Sequence, residues 1–101
     1  MKRVDFARIN RAALAQLPAI LPRWLPAGRR RFREYVALNP KRHDQALGSF
    51  SINLKTGRWA DFATGDKGGD PIALAAFLFD LEQRQAALKV AAMLGLDPFE
   101  R

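Results

Sequence analysis

Asp61, Asp66 and Asp70 stand within ten residues of one another. Carboxylates so close together could hold a divalent cation or divide general acid and base work between them. Their contexts separate them. Asp61 ends a strand pattern, Asp66 lies in a glycine loop, and Asp70 directly precedes Pro71, where a helix takes its N-cap. That distribution reads as three structural roles in preference to one catalytic cluster. The chain has no cysteine and one histidine, His43. Thiolate nucleophiles, redox pairs and cysteine-based zinc sites are thereby excluded, and a lone histidine in a polar loop reads as solvated. Thr64-Gly65-Asp66-Lys67-Gly68-Gly69 runs into the helix start, a generic anion site. It does not match the Walker spacing, and Asp66 and Asp70 would repel a triphosphate. The sequence reads as a binding module, not an enzyme, with no cofactor and no metal.

The charge points to a polyanion. The chain carries +7 over 101 residues. Residues 1–48 hold eleven Lys/Arg against three acids, a net of +8, and residues 49–101 hold six against seven, a net of −1. Nine of the first eleven are arginine, whose planar fork suits phosphates and base edges better than the point charge of lysine. The competing explanation is a merely solvated basic surface. Single strands are gripped by basic grooves with aromatics that stack bases. The candidate binding residues are Arg29, Arg30, Arg31, Arg33, Tyr35, Lys41, Arg42, Lys55, Arg58 and Trp59.

These residues need a scaffold, and 101 residues make one domain. Residues 1–22 look helical, with Asn10 as a plausible N-cap. Pro18, Pro22 and Pro26 then break the chain, so 17–28 reads as an irregular linker in which Trp24 and Leu25 pack. From Arg31 to Leu38 the residues alternate, and Phe32, Glu34, Val36 and Leu38 are expected to face inward while Tyr35 points away. Ser49 to Leu54 alternates with Phe50, Ile52 and Leu54 inward. Lys55-Thr56-Gly57 connects it to a returning strand, Arg58 to Ala63, on which Trp59 is opposite in parity to Phe62. Asp70-Pro71 starts an apolar helix to about 79, and Leu81 to Leu94 forms another, capped by Gly95. The expected fold is α+β: a small three-stranded antiparallel sheet preceded by an N-terminal helix and followed by two C-terminal helices. Residues 1–28 would form the helix and proline-rich linker, and 29–101 the module itself. No apolar run is long enough for a membrane span, and no h-region follows Lys2-Arg3, so a cytoplasmic location is expected.

Four phrases carry a family resemblance. They are Asn39-Pro40-Lys41-Arg42-His43-Asp44, Gly48-Ser49-Phe50-Ser51-Ile52, Gly57-Arg58-Trp59-Ala60-Asp61-Phe62 and Gly68-Gly69-Asp70-Pro71-Ile72. In order and spacing they resemble the zinc-ribbon domain of bacterial and phage DNA primases over roughly residues 31–96. The likeness is greatest to cysteine-less versions at the N-terminus of primase or primase–helicase proteins of plasmids, phages and integrative elements. The resemblance puts the family's four zinc ligands on Asn39, Arg42, Asp61 and Thr64, a set that implies a zinc-free site. It predicts an Arg42–Asp61 ion pair there, aided by Asn39 and Thr64. It also implies single-stranded DNA as a partner, with a primase or helicase beside it.

Two rival readings remain open. The apolar helices or the 17–28 linker could dock on a replication enzyme, the charge serving solubility alone. The glycine loop could bind a regulatory nucleotide.

Overall fold

The structure, a computed structural model, describes residues 2–41 and 48–101. Its elements in chain order are α1 (Phe6–Ala15), α2 (Leu17–Trp24), β1 (Arg29–Arg31), β2 (Glu34–Ala37), β3 (Phe50–Asn53), β4 (Trp59–Asp61), β5 (Lys67–Gly68), α3 (Pro71–Phe79) and α4 (Gln83–Met93). The strands form one antiparallel meander in the order β1-β2-β3-β4-β5.

The expected fold class is corrected here. The described residues hold five strands and four helices, not three and three. β1 escapes sequence reading because it is three exposed arginines, with no apolar residue to alternate. It forms by pairing through a two-residue turn at Phe32-Arg33, with Arg31 opposite Glu34. The expected single strand 31–38 is therefore a hairpin. β5 adds two residues of the supposed glycine loop, Lys67 opposite Ala60 and Gly68 opposite Trp59.

The supposed linker contains a helix. Pro18 in α2 lies in the first turn, where its missing N–H has no partner to lose. Pro22 sits inside and removes one backbone bond. Leu17, Ile20 and Leu21 recur at helical spacing and are buried, and that burial offsets the loss. Asp5, not Asn10, caps α1, accepting from the Arg8 N–H at 3.0 Å. Asn10 lies mid-helix and serves another helix: its Oδ1 accepts from the Ile72 N–H of α3 at 2.9 Å.

Other expectations hold. Asp70 caps α3, its Oδ1 accepting from the Ala73 N–H at 2.8 Å. α4 ends in a Schellman motif, Leu96 N–H to Ala91 O and Gly95 N–H to Ala92 O, with Gly95 at φ 67°.

Two apolar clusters share the interior. One joins α1, α3 and α4 through Ile9, Ala13, Ile72, Ala75, Ala87 and Val90. The other seats Leu17, Leu21 and Leu74 on Tyr35, Phe50, Ile52 and Trp59 of the sheet. α3 contributes to both, which explains why it is apolar around its whole circumference. The chain ends are tied together: Val4 bridges Phe99, and Arg8 donates to the Asp97 and Phe99 carbonyls.

Candidate nucleic-acid interface

Strand register sorts the sheet residues into two faces. Tyr35, Ile52, Trp59 and Gly68 lie in one transverse row, and Ala37, Phe50 and Asp61 in another on the same side. Helices α2 and α3 pack on this side. Arg29, Val36, Ser51, Ala60 and Lys67 form a row on the opposite face, with Arg31, Glu34 and Asn53 beside it. That face carries a shallow concavity of about 670 Å³, lined among others by Glu34, Ser51, Asn53, Arg58, Phe62 and Lys67 and by no helix residue. Arg29, Arg31, Arg58 and Lys67 are all exposed, and Glu34 is the single acid among these strand-face positions. A shallow basic surface of this kind accommodates an extended polyanion better than a small molecule enclosed on all sides.

The expected stacking aromatics are corrected. Tyr35 and Trp59 are each only 5% exposed, packed on the helix side of the sheet. The Tyr35 hydroxyl donates to the Leu25 carbonyl at 2.8 Å, and burial raises its pKa. Trp59 packs against Phe77 with ring centroids 4.9 Å apart and edge-on to Phe50 at 6.3 Å. The Trp59 Nε1–H is buried with no hydrogen-bond acceptor among the described residues. Gly68 lies beneath the indole, so a Cβ there would come within 2.5 Å of it, and Gly28 stands in the same relation to Tyr35 at 2.4 Å.

On and beside the sheet, the exposed aromatics are the two that sequence parity placed inside: Phe62 is 78% exposed and Phe32 95%. In β2 the inward residues are Tyr35 and Ala37, one residue out of step with the expected alternation, and such a shift exchanges the two faces of the strand. Phe32 is not in a strand at all. Phe62 continues the open-face parity of β4 and lines the concavity, its N–H donating to the Ser49 carbonyl at 2.9 Å.

The remaining candidates divide by position. Arg29, Arg31 and Arg58 belong to the open face. Arg33 and Lys55 are exposed in the turns at the Arg31 end, joined there by the Leu54 N–H donating to the Arg33 carbonyl at 2.7 Å. Arg30 is exposed, and its Nε donates to the Phe32 carbonyl at 3.0 Å, bracing the turn. Lys41 lies on the helix side, paired with Asp80 and 5.4 Å from the Phe77 ring centre, so it does not join this face. Arg42 lies outside the described residues. Lys67 and Phe62 were missed, and the signal for both was the parity of β4 continued through its neighbours.

Two of the four positions that the resemblance equates with zinc ligands meet. Asn39 Nδ2 donates to Asp61 Oδ2 at 2.7 Å, and both residues are 1% exposed. Asp61 Oδ1 accepts from the Ala63 N–H at 2.9 Å. Thr64 instead donates to Asp66 at 2.8 Å on the surface. The expected Arg42–Asp61 pair lies outside the described residues. Among the described residues no group of three His, Cys, Asp or Glu is placed to hold a metal ion, and no helix is long and apolar enough to cross a membrane.

No family model and no curated sequence matches the chain.

Proposed function

We propose that the chain is a cytoplasmic, non-catalytic nucleic-acid-binding module that holds single-stranded DNA on its open sheet face. Its setting is primase- or helicase-dependent replication of a phage, plasmid or integrative element. The observation that carries the reading is the juxtaposition of Arg29, Arg31, Arg58 and Lys67 with exposed Phe62 on a sheet face that no helix of the described residues covers. Cations for the backbone beside a ring for a base are what sequence-tolerant single-strand binding requires. The replication setting rests on the four sequence phrases that resemble the primase zinc ribbon.

The test is fluorescence anisotropy with a labelled single-stranded oligonucleotide across a salt series. Four displaced phosphate counterions correspond to a log–log slope of about −3, or roughly fiftyfold weaker binding between 50 and 200 mM salt. Arg58→Ala and Lys67→Ala should each make the slope shallower by about 0.7. Phe62→Ala should weaken binding about tenfold with the slope unchanged. Absence of binding at low salt would refute the reading.

A second reading, docking on a replication enzyme, is favoured by one observation on the helix side. Phe79 is 48% exposed beside Trp24, the rings edge-to-face at 5.7 Å. A chain that ignores oligonucleotides but binds a purified primase or helicase through this pair would support it.

A further inference from the structure

The β1–β2 turn puts a phenylalanine where both solvent and backbone disfavour one. Phe32 is 95% exposed, the most exposed of the large apolar residues among those described. It also has φ 54°, while Arg33 beside it does not have a positive φ. A positive φ at a hairpin-turn residue is ordinarily taken by glycine or asparagine. A phenylalanine in the left-handed region is strained, and strain of this kind persists at sites where it serves a ligand. Core packing does not account for it, because the ring meets almost no protein.

What surrounds the ring indicates its counterpart. Arg29, Arg30 and Arg31 precede it and Arg33 follows, all exposed. The Arg30 Nε holds the Phe32 carbonyl at 3.0 Å, so the turn is braced instead of loose. Lys55 and Arg58 stand at the same end of the sheet. Four residues along β3 separate the Arg31–Glu34–Asn53 row from Ser49, beside which Phe62 lies. At strand rise that is about 13 Å. The two exposed rings thus bracket the basic face from opposite ends.

We infer that Phe32 is a stacking finger: it packs against an unpaired base while the arginines on either side take the flanking phosphates. This deepens the reading of the open face as a single-strand site and rests on it. The braced two-residue turn fixes the backbone that carries the ring, so little backbone entropy is lost on binding, and the exposed ring itself is ordered when a base packs on it. It also needs a base free of its own stacking partners. The finger therefore favours single strands over duplex.

Phe32→Gly, Phe32→Asn and Phe32→Trp separate this role from a structural one. Glycine and asparagine tolerate the left-handed backbone, so both variants should melt higher than the parent, by roughly 3–6 °C. Both should bind a single-stranded oligonucleotide about tenfold more weakly with the salt slope unchanged, because stacking releases no counterions. Phe32→Trp should keep the affinity, and its emission should be quenched on binding. Parent binding that Phe32→Gly leaves unchanged would overturn the finger and leave the open-face reading standing. No salt-dependent binding by the parent would overturn both. Vesicles containing anionic phosphatidylserine supply the last arm. If Phe32→Gly abolishes vesicle binding and not oligonucleotide binding, the ring serves a lipid surface and the proposal fails.

Discussion

Asn39, just beyond β2, hands a hydrogen bond to Asp61, at the end of β4, across 2.7 Å, and both side chains are 1% exposed. The pair ties two segments 22 residues apart at a place where water cannot substitute for either partner. A second bond, from the Ala63 N–H at 2.9 Å, fixes the carboxylate at the turn leaving β4.

Asp61→Ala should therefore cost about 2–4 kcal/mol, because the Asn39 amide and the Ala63 N–H both lose their acceptor. Asp61→Asn keeps an acceptor oxygen and should cost less. Urea denaturation measures both, with an unchanged m-value confirming that stability and not compactness has moved.

Gly68→Ala should destabilise by about 1–3 kcal/mol, since its Cβ would lie 2.5 Å from the Trp59 indole and the ring must shift. In a Trp24→Phe background, Trp59 is the sole tryptophan emitter. A red-shifted emission in Gly68→Ala would report its displacement toward water. Unchanged emission and stability would mean that the indole does not rest on this glycine.

Stability should fall at alkaline pH through Tyr35. Burial raises its phenol above the usual value. In the range above about pH 10 the unfolded chain loses this proton while the folded chain keeps it. The unfolded state then binds fewer protons, so stability declines as pH rises from there toward the folded-state pKa. Below that range the contribution is fully present. Tyr35→Phe should remove this part of the alkaline decline, at the cost of the hydrogen bond to Leu25, about 1 kcal/mol at neutral pH.

The α3 N-terminus is satisfied from two places. Pro71 has no N–H, Ile72 donates to Asn10, and Ala73 donates to Asp70. Asn10→Ala and Asp70→Ala should each cost about 1 kcal/mol. Asn10→Ala should also loosen α1 against α3, seen as faster amide exchange at Ile72.

Legibility from sequence followed burial. α3, α4 and the β3–β4 hairpin were readable because Asp70-Pro71, Gly95 and the alternating Phe50, Ile52 and Leu54 each carry a local signal. α2 was not, because prolines argue against a helix until the burial of Leu17, Ile20 and Leu21 is known. β1 has no apolar residue to betray it. The basic half of the open face was legible as charge, and Arg29, Arg31 and Arg58 share that face and are exposed. Its aromatic half was not. Tyr35, Trp59 and Phe62 are alike as aromatics, and only register tells which rings meet helices and which meet solvent, while Phe32 is exposed by a turn that the sequence did not signal.

β1 is also an edge. On its far side the described residues place no further strand, so a row of backbone donors and acceptors lies open to any extended chain of suitable register. Three consecutive arginines stand along it, and a second copy approaching edge to edge would set like charges side by side. The residues proposed for phosphates would thus also oppose edge-to-edge association of two molecules. Neutralising all three would remove this repulsion, and with it the charge that the proposed binding needs. Light scattering on such a variant should show self-association where the parent stays dispersed.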